Sequence, residues 1–594
     1  MFWHLRRMYS GVWRGVARVR SGAVHVCQLH ATGSKFCVHS GMSQWLHKFV
    51  RHLSVGLPAA SHEMSKSYEE AVRTLNTLQS NAAVLEKARQ LNALKQLSLP
   101  ETVQLASRAD ISLDDLDKLS VIHVSGTKGK GSTCAFCESI LRRHGYKTGF
   151  FSSPHLVEVR ERIRINGEPL SKQAFSHYFW LCYDKFQNTK AAHNGVMPAY
   201  FRFLTIMAFK VFLQEKVDVS VVEVGIGGEY DSTNIIRSPV VTGVTSLDID
   251  HTQLLGNTVE QIAWHKAGIF KSGVPALTVP QPGNSLEVMV HRAQEIGCSL
   301  SIAPPLDCYD WQQHQCHLGI PGEKQVLNVS LALQLARIWR QRHCAGRDLT
   351  ALSRMGEGDH LPENQPHTDA VGVAEPFAIT EKEALGVSTC RWAGRNQVIE
   401  KTGITYYLDG AHTPLSLEAC VHWFKDSSAQ ESQRYGGSVA RVLVFNCTGD
   451  RSPESLLKYL LPCDFDCAVF CPNFASTYSK KADQTNYTVA PQTTQNKCVT
   501  NENAWLKLMS EQNVSGDRND IPSASATHVF ASIHDALQWI SQGRDPLFEA
   551  ATNDIGKVPE VLHKCCHLQV LCVGSLHLIG GVLGLLQPDM NSTN

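Results

Sequence analysis

The stretch Val121-Ile-His-Val-Ser-Gly-Thr-Lys-Gly-Lys-Gly-Ser-Thr133 restricts the fold of this chain more than any other. Its β-branched opening, Val121 to Val124, reads as a buried strand bounded by a glycine-rich turn. Gly126, Gly129 and Gly131 let the backbone turn tightly and aim successive N–H groups inward, and a helix-prone run follows from about Ser132 to His144. Strand, loop and helix N-terminus together make an anion site, because unpaired amides and the helix dipole both favour phosphate. Lys130 would then reach the β/γ-phosphates, and Ser132 or Thr133 would offer a hydroxyl to Mg²⁺. The spacing departs from the standard phosphate loop: Val124 stands where that pattern has glycine, and Gly131 where it has serine or threonine. From this stretch alone, a glycine-rich turn with a solvated lysine remains the alternative.

Downstream the chain alternates. Lys147 to Pro154 reads as a second strand, ending in small hydroxyl residues. Arg160 to Gly167 carries Arg160, Arg162 and Arg164 in alternation, as on a strand or extended loop. Residues 171–188 and 198–214 have helical spacing, Val217–Val224 and Pro239–Ser246 are strands, 258–268 a helix and 275–280 a strand. Such alternation predicts an α/β fold, a parallel sheet wrapped by helices. Ser153, Glu223, Asp250 and His251 then fall at C-terminal strand ends, where open α/β sheets bind ligands. Each alone reads equally as a cap or a satisfied polar group. With the phosphate loop they form a candidate Mg²⁺ shell of hydroxyl, carboxylate and imidazole.

At 594 residues the chain exceeds one core, so two domains with extensions are expected. A net charge of +1 argues against a broad nucleic-acid surface. Nineteen cysteines without a small-domain framework point to reduced thiols. Cys134 and Cys137 share a zinc or redox spacing, and Cys463, Cys467 and Cys471 recur every four residues; buried free cysteine is the better reading of both. Residues 1–63 include Arg6, Arg7, Arg14, Arg18 and Arg20, with no acid before Glu63. This is the pattern of a mitochondrial transit peptide, a disordered basic tail being the alternative. Starts at Met42 or Met64 would yield a cytoplasmic form. Residues 344–390 lack a clear period and read as an insertion or linker; a second block of strands and helices begins near Arg391. Residues 474–526, rich in Ser, Thr, Asn and Gln, read as a second, disordered insertion. Val570 to Leu586 is barely long enough to span a bilayer and holds Ser575 and His577, so a strand, a Gly-Ser turn and a buried helix fit better.

Seven runs occur in a fixed order: Gly126–Thr133, Phe151–Leu156, Glu223–Gly228, Asp250–Gly256, Lys266–Lys271, Trp392–Arg395 and Asp409–His412. The series resembles the Mur ligase superfamily, and within it the folylpolyglutamate synthases of animal mitochondrial/cytosolic type, from about residue 64 to 588 apart from the two insertions. That resemblance implies a P-loop ATPase-like parallel-sheet domain over 64–390 and a smaller Rossmann-like α/β domain over 391–594. It implies an ATP-dependent ligase that adds L-glutamate by γ-linkage to tetrahydrofolate (poly)glutamates through an acyl phosphate, retaining folates in cells and mitochondria.

By the same resemblance, Lys130, Lys266, His412 and Arg395 are catalytic. ATP contacts come from Gly126, Thr127, Lys128, Gly129, Lys130, Gly131, Ser132 and Thr133, with Asn328, Arg395 and Asp409. Ser132, Ser153, Glu223 and His251 hold Mg²⁺, and K⁺ is a further candidate cofactor. Lys266 is the family's carbamate position, so it should be desolvated or lie beside other cations; an exposed helix lysine is the alternative. Arg160, Arg162, Arg164 and His412 are candidate folate or glutamate contacts, with surface salt bridging as the other reading of the arginines. The expected partners are reduced folates and their polyglutamates, L-glutamate and ATP, with no nucleic acid, no membrane span and a monomeric state. The expected location is the mitochondrial matrix, with inner-membrane association as one form, and the cytoplasm. Two rivals stand beside this reading. One is a bifunctional dihydrofolate synthase/folylpolyglutamate synthase, against which Arg202 stands where that branch has glutamate. The other is a non-catalytic nucleotide-binding protein, which would not need Lys130, Glu223, His251, Lys266 and Asp409 together.

Overall fold

Val121 to Ser125 is buried along its whole length, as a strand between two others must be. The computed structural model describes residues 67–79, 94–352, 371–448, 451–476, 483, 491–514, 526–549 and 558–591. The expected leader, with Met42 and Met64, lies outside the described residues.

The first sheet is built from β1 (Val121–Ser125), β2 (Thr148–Phe151), β3 (Ile163–Ile165), β4 (Glu168–Pro169), β5 (Val219–Glu223), β6 (Val241–Val244), β7 (Ala276–Thr278), β8 (Leu300–Ile302) and β9 (Gly372–Val373). Their order is β4-β3-β2-β5-β1-β6-β7-β8-β9, parallel except for the β2–β3–β4 edge. Strand β1 therefore lies between β5 and β6, the position where the connections diverge and a ligand crevice opens. Side chains alternate between two cores, as the two-residue period requires: Phe151 and Val222 enter one, Phe150 and Val221 the other. Helix α1 (Lys130–Arg143) follows the glycine loop. It packs Phe136, Ile140 and Leu141 against Val329, Leu333 and Ala336 of α2 (Gln325–Leu352).

The second sheet holds β10 (Gln397–Lys401), β11 (Ile404–Leu408), β12 (Val439–Phe445), β13 (Cys467–Phe470), β14 (Ala526–Val529) and β15 (His567–Val573), in the order β10-β11-β15-β12-β13-β14. Tyr406, Val442, Val444 and Val570 face one core, Tyr407, Leu443, Phe445 and Leu571 the other. The chain ends in α3 (Leu576–Leu586), capped by Ser575, whose hydroxyl accepts from His577 N–H at 3.2 Å. A Cβ at Gly580 would fall 1.9 Å from the Leu156 carbonyl oxygen, so only glycine lets this helix lie against the loop after β2. Among the described residues, no helix is long and apolar enough to cross a membrane.

Both expected insertions need correction. Residues 353–370 lie outside the described residues, but 371–390 belong to the first domain's core. Glu381–Ser388 is a helix with a Thr380/Glu383 capping box, and its Gly386 carbonyl accepts the Ser139 hydroxyl of α1 at 2.7 Å. Residues 477–482, 484–490 and 515–525 of the second segment lie outside the described residues, yet Pro491–Val514 is one long helix. Cys498, Asn501 and Trp505 form its buried stripe, with Leu508 packed against the same core. Its polar composition disguised a core element, because Asn501 is itself inside, donating to Asn446 Oδ1 at 3.3 Å. The cysteine reading agrees with the structure: Cys134, Cys137, Cys463, Cys467 and Cys471 are free and buried. Trp505→Ala should cost about 3–5 kcal/mol in urea unfolding, as for other buried tryptophans. A dispensable insertion would lose almost nothing.

Candidate active site

The loop Gly126–Gly129 is held from two directions. The N–H groups of Thr127 and Lys128 both donate to the Ser246 carbonyl, at 3.1 and 3.0 Å, and Lys266 Nζ donates to the Gly126 carbonyl at 2.7 Å. Two of the loop amides expected to face an anion are therefore spent on the segment after β6. The amides of Lys130, Gly131 and Ser132 remain, since the first helical bond of α1 is Thr133 N–H to the Gly129 carbonyl at 2.8 Å. Gly129 has φ +90°, and a Cβ there would meet Asn328 Oδ1 at 2.1 Å.

Asn328 is buried under this loop, accepting from the Thr133 hydroxyl at 3.4 Å and donating to Gln325 Oε1 at 2.9 Å. With Thr133 turned inward, Ser132 is the hydroxyl left at the mouth of the helix. Lys130 Nζ lies 4.0 Å from Glu223 Oε1, and Glu223 Oε2 accepts Ser153 N–H at 3.2 Å. Burial raises the Glu223 carboxyl above its usual range, with Lys130 opposing. The buried Glu223 carboxylate beside Ser153, with Ser132 in the first turn of α1, supplies the hard oxygen donors that suit Mg²⁺. Among the described residues there is no group of three or more His, Cys, Asp or Glu placed to hold a metal, so any such site needs hydroxyls and substrate oxygens beside its carboxylate.

Lys266, in the helix Val259–Ala267, is buried. Burial first, then Lys130 and Lys128, push its pKa well below the ordinary lysine value, while Asp250 opposes. This is the environment a carbamate-forming lysine needs, and it excludes an exposed helix position.

The second sheet closes the cleft. Gly131, Ser153, Glu223 and Arg164 line it from one side, Trp392, Arg395 and Leu576 from the other. Asp409, just past β11, accepts Asn396 N–H and Ala411 N–H, each at 2.8 Å, leaving one lone pair on each oxygen for a ligand. Burial raises its carboxyl, with Arg395 opposing. His412 Nδ1 donates to the Gly410 carbonyl at 2.7 Å, which leaves the lone pair on Nε2. That nitrogen faces Lys128 Nζ at 3.3 Å. Burial, with Lys128 second, holds His412 down at about 4.

The three arginines separate. Val159–Arg162 is a tight helical turn rather than a strand, and only Arg164 lies on β3. Arg160 is buried, tied to Glu158 and to the carbonyls of Leu170 and Asn591, so it is structural and does not line the cleft. Arg162 is buried against Tyr200 and donates to His155 Nδ1 at 3.0 Å. Arg164 alone lines the cleft, its guanidinium 4.8 Å from the Trp392 ring centre. Sequence reasoning placed Asp250 in the candidate Mg²⁺ shell, whereas here it pairs with Lys128 and Arg451; it left out of the site Arg451 and the Asp248–Thr413 pair, whose hydroxyl–carboxylate bond is 2.9 Å. The signal for Asp248 and Asp250 was their place after β6. Arg451 had none, because only folding brings it to Asp250.

Gly129→Ala should weaken ATP binding tenfold or more, measured by calorimetry, since alanine meets both a left-handed backbone and Asn328. His412 carries a pH signature. Its folded pKa of about 4 lies below the ordinary 6.5, so across that window the unfolded chain binds more protons and stability rises with pH. His412→Gln should therefore lose less stability than the parent between pH 7 and pH 5 in urea unfolding.

No family model matches the chain. The human mitochondrial folylpolyglutamate synthase is 48% identical over 560 residues, spanning 89% of this chain and 93% of that protein. The mitochondrial folylpolyglutamate synthase of Bos taurus is 44% identical over 97% of this chain and 100% of its own length. Among solved structures, E. coli FolC in complex with DHPP and ADP superposes with a TM-score of 0.58 at 22% identity, covering 90% of this chain and 99% of that one. This last likeness carries the two-domain fold, and the identities to the mammalian proteins over nearly full length carry the family. The chain belongs to the folylpolyglutamate synthases.

Proposed function

We infer that this chain is an ATP-dependent ligase that adds L-glutamate by γ-linkage to tetrahydrofolate and its polyglutamates. The observation that carries this reading is the convergence of two sheets on one cleft. The first lines it with Gly131, Ser153 and Glu223, and Lys130 lies 4.0 Å from Glu223; the second lines it with Trp392 and Arg395, and its His412 meets Lys128 of the phosphate loop at 3.3 Å.

ATP would lie with its phosphates on the free amides of Lys130, Gly131 and Ser132 and its ribose at Asp409. Lys130 and Arg395 would neutralise charge as the γ-phosphoryl passes to the folate's terminal γ-carboxylate, giving an acyl phosphate and ADP. The glutamate amine would then attack the acyl carbon, the C–N bond forming as phosphate leaves. The amine proton needs an acceptor, and His412 Nε2, which faces Lys128 Nζ at 3.3 Å, would serve as one.

Ser132, Ser153, Glu223 and His251 would hold Mg²⁺, whose contribution is to polarise phosphoryl oxygens. Lys266 as a neutral amine would take up CO₂, losing one proton to form an anionic carbamate. K⁺ is a further candidate cation. The folate would reach the cleft beside Trp392 and Arg164. The protein would act as a monomer, in mitochondria from a chain carrying the basic leader and in the cytoplasm from an internal start.

The test is ATP-dependent incorporation of labelled L-glutamate, with tetrahydrofolate and dihydropteroate compared as acceptors. Incorporation into tetrahydrofolate alone is expected, and Lys130→Ala should reduce it on the order of 100-fold or more. Incorporation into dihydropteroate would make the enzyme bifunctional. ATP binding without incorporation into either would overturn the ligase reading.

A further inference from the structure

The segment that follows α3, residues 587–591, belongs to the second domain but is held by both. Gln587 N–H still donates to the Leu583 carbonyl at 2.8 Å, and its Oε1 accepts Gln397 Nε2 at 3.4 Å. Gln397 Oε1 in turn accepts Gly394 N–H at 2.9 Å, beside Arg395. Met590 N–H then turns back to the Gln587 carbonyl at 3.0 Å. One residue further on, Asn591 crosses to the first domain. Its Nδ2 donates to Glu161 Oε1 at 2.7 Å, and its carbonyl accepts Arg160 Nη2.

Both partners are buried charges, Arg160 3% and Glu161 5% exposed. Arg160 gives its other bonds to the Leu170 carbonyl and to Glu158, so Asn591 completes its fork. Glu161 is the carboxylate that winds Leu156, Val157 and Glu158 into their turn. Buried charges rarely forgo a charge-assisted bond, so the first domain itself specifies where Asn591 sits.

This crossing fixes Met590 in the wall of the cleft. Leu156 of the first domain and Trp392 and Leu576 of the second line the same cleft and make an apolar surface with it. Gly131 and Glu223, where phosphoryl transfer is placed, line it too. An acceptor that brings its terminal carboxylate to that point must lay its benzoyl stem along the cleft, and an aromatic ring gains most against apolar side chains. A half-buried methionine suits this, because its thioether is flexible, polarisable and favourable against ring edges.

We propose that residues 587–591 are a clasp between the domains that holds Met590 against the aromatic stem of the folate acceptor. Met590 is then a specificity-determining residue for that acceptor, and Asn591 a positioning residue that acts through it. The inference rests on the ligase reading and deepens it.

The experiment uses the full chain and its Met590→Gln, Met590→Leu and Asn591→Ala variants, checked for folding by thermal melts. Glutamine keeps the length of methionine and loses its apolar character; leucine keeps the apolar character. Initial rates are taken against tetrahydrofolate, ATP and L-glutamate in turn, the other two saturating. The expected result is a rise of about fivefold or more in KM for tetrahydrofolate with Met590→Gln, most of it recovered in Met590→Leu. Asn591→Ala should raise the same KM about twofold or more, and KM for ATP and for L-glutamate should stay within about twofold throughout. An unchanged KM for tetrahydrofolate in Met590→Gln or in Asn591→Ala, an equal rise in KM for ATP, or a Met590→Leu no better than Met590→Gln would overturn the assignment while the ligase reading stands. No incorporation of glutamate by the parent chain would overturn both.

Discussion

One carbonyl organises this active site. Ser246 accepts two consecutive amides, those of Thr127 and Lys128, and so ties the loop after β1 to the segment after β6. The first segment ends in the N-terminus of α1; the second runs on to Asp248, Asp250 and His251. Lys266 binds the other side of the same loop through the Gly126 carbonyl. A glycine loop on its own is a flexible turn that would lose conformational entropy on meeting a phosphate. Pinned at three atoms, it has already undergone that ordering during folding, and its remaining amides stand ready.

The second constraint is closure. Contacts between the domains around the cleft include Thr413 with Asp248, and Arg451, Lys128 and His412 around Asp250, while Val157 and Leu156 pack into the second domain's core. Gly580 adds a close backbone approach to Leu156. Such an interface holds the two sheets together through polar pairs near the cleft and through one shared apolar cluster, in which Val157 joins Tyr406, Val570 and Ile579. A ligase that must admit ATP, a folate and an amino acid, and then exclude water from an acyl phosphate, needs such an interface. Four of the groups with displaced pKa values, Glu223, Lys266, Asp409 and His412, belong to the candidate site, and burial is the leading cause for each.

Much of this was legible in the chain. The β-branched run Val121–Val124, the glycines and Lys130 specified strand, loop and helix through local chemistry alone. Polar residues at strand ends pointed to the crevice, because parallel sheets bind there. What failed were judgements from composition. Residues 491–514 looked like part of a disordered insertion because three of their four buried positions, Cys498, Asn501 and Ala504, are not large apolar groups, yet Trp505 and Cys498 anchor the segment. The alternating arginines looked like a strand or an extended loop; Arg164 does lie on β3, but Glu161 folds its carboxylate back onto the N–H groups of Leu156, Val157 and Glu158 and winds Val159–Arg162 into a turn.

The sequence by itself determined the α/β class, the phosphate loop and the family, since these depend on residues adjacent in the chain or on motifs in order. Tertiary structure decided which of those residues meet. It spent two loop amides on Ser246, turned Thr133 away from the cleft, buried Arg160 and Arg162 in structural roles, and brought Arg451 to a carboxylate 201 positions away. Hydrogen bonds and charge pairs depend on distances of a few ångströms, and those are set by how two sheets close on each other, which no local pattern encodes.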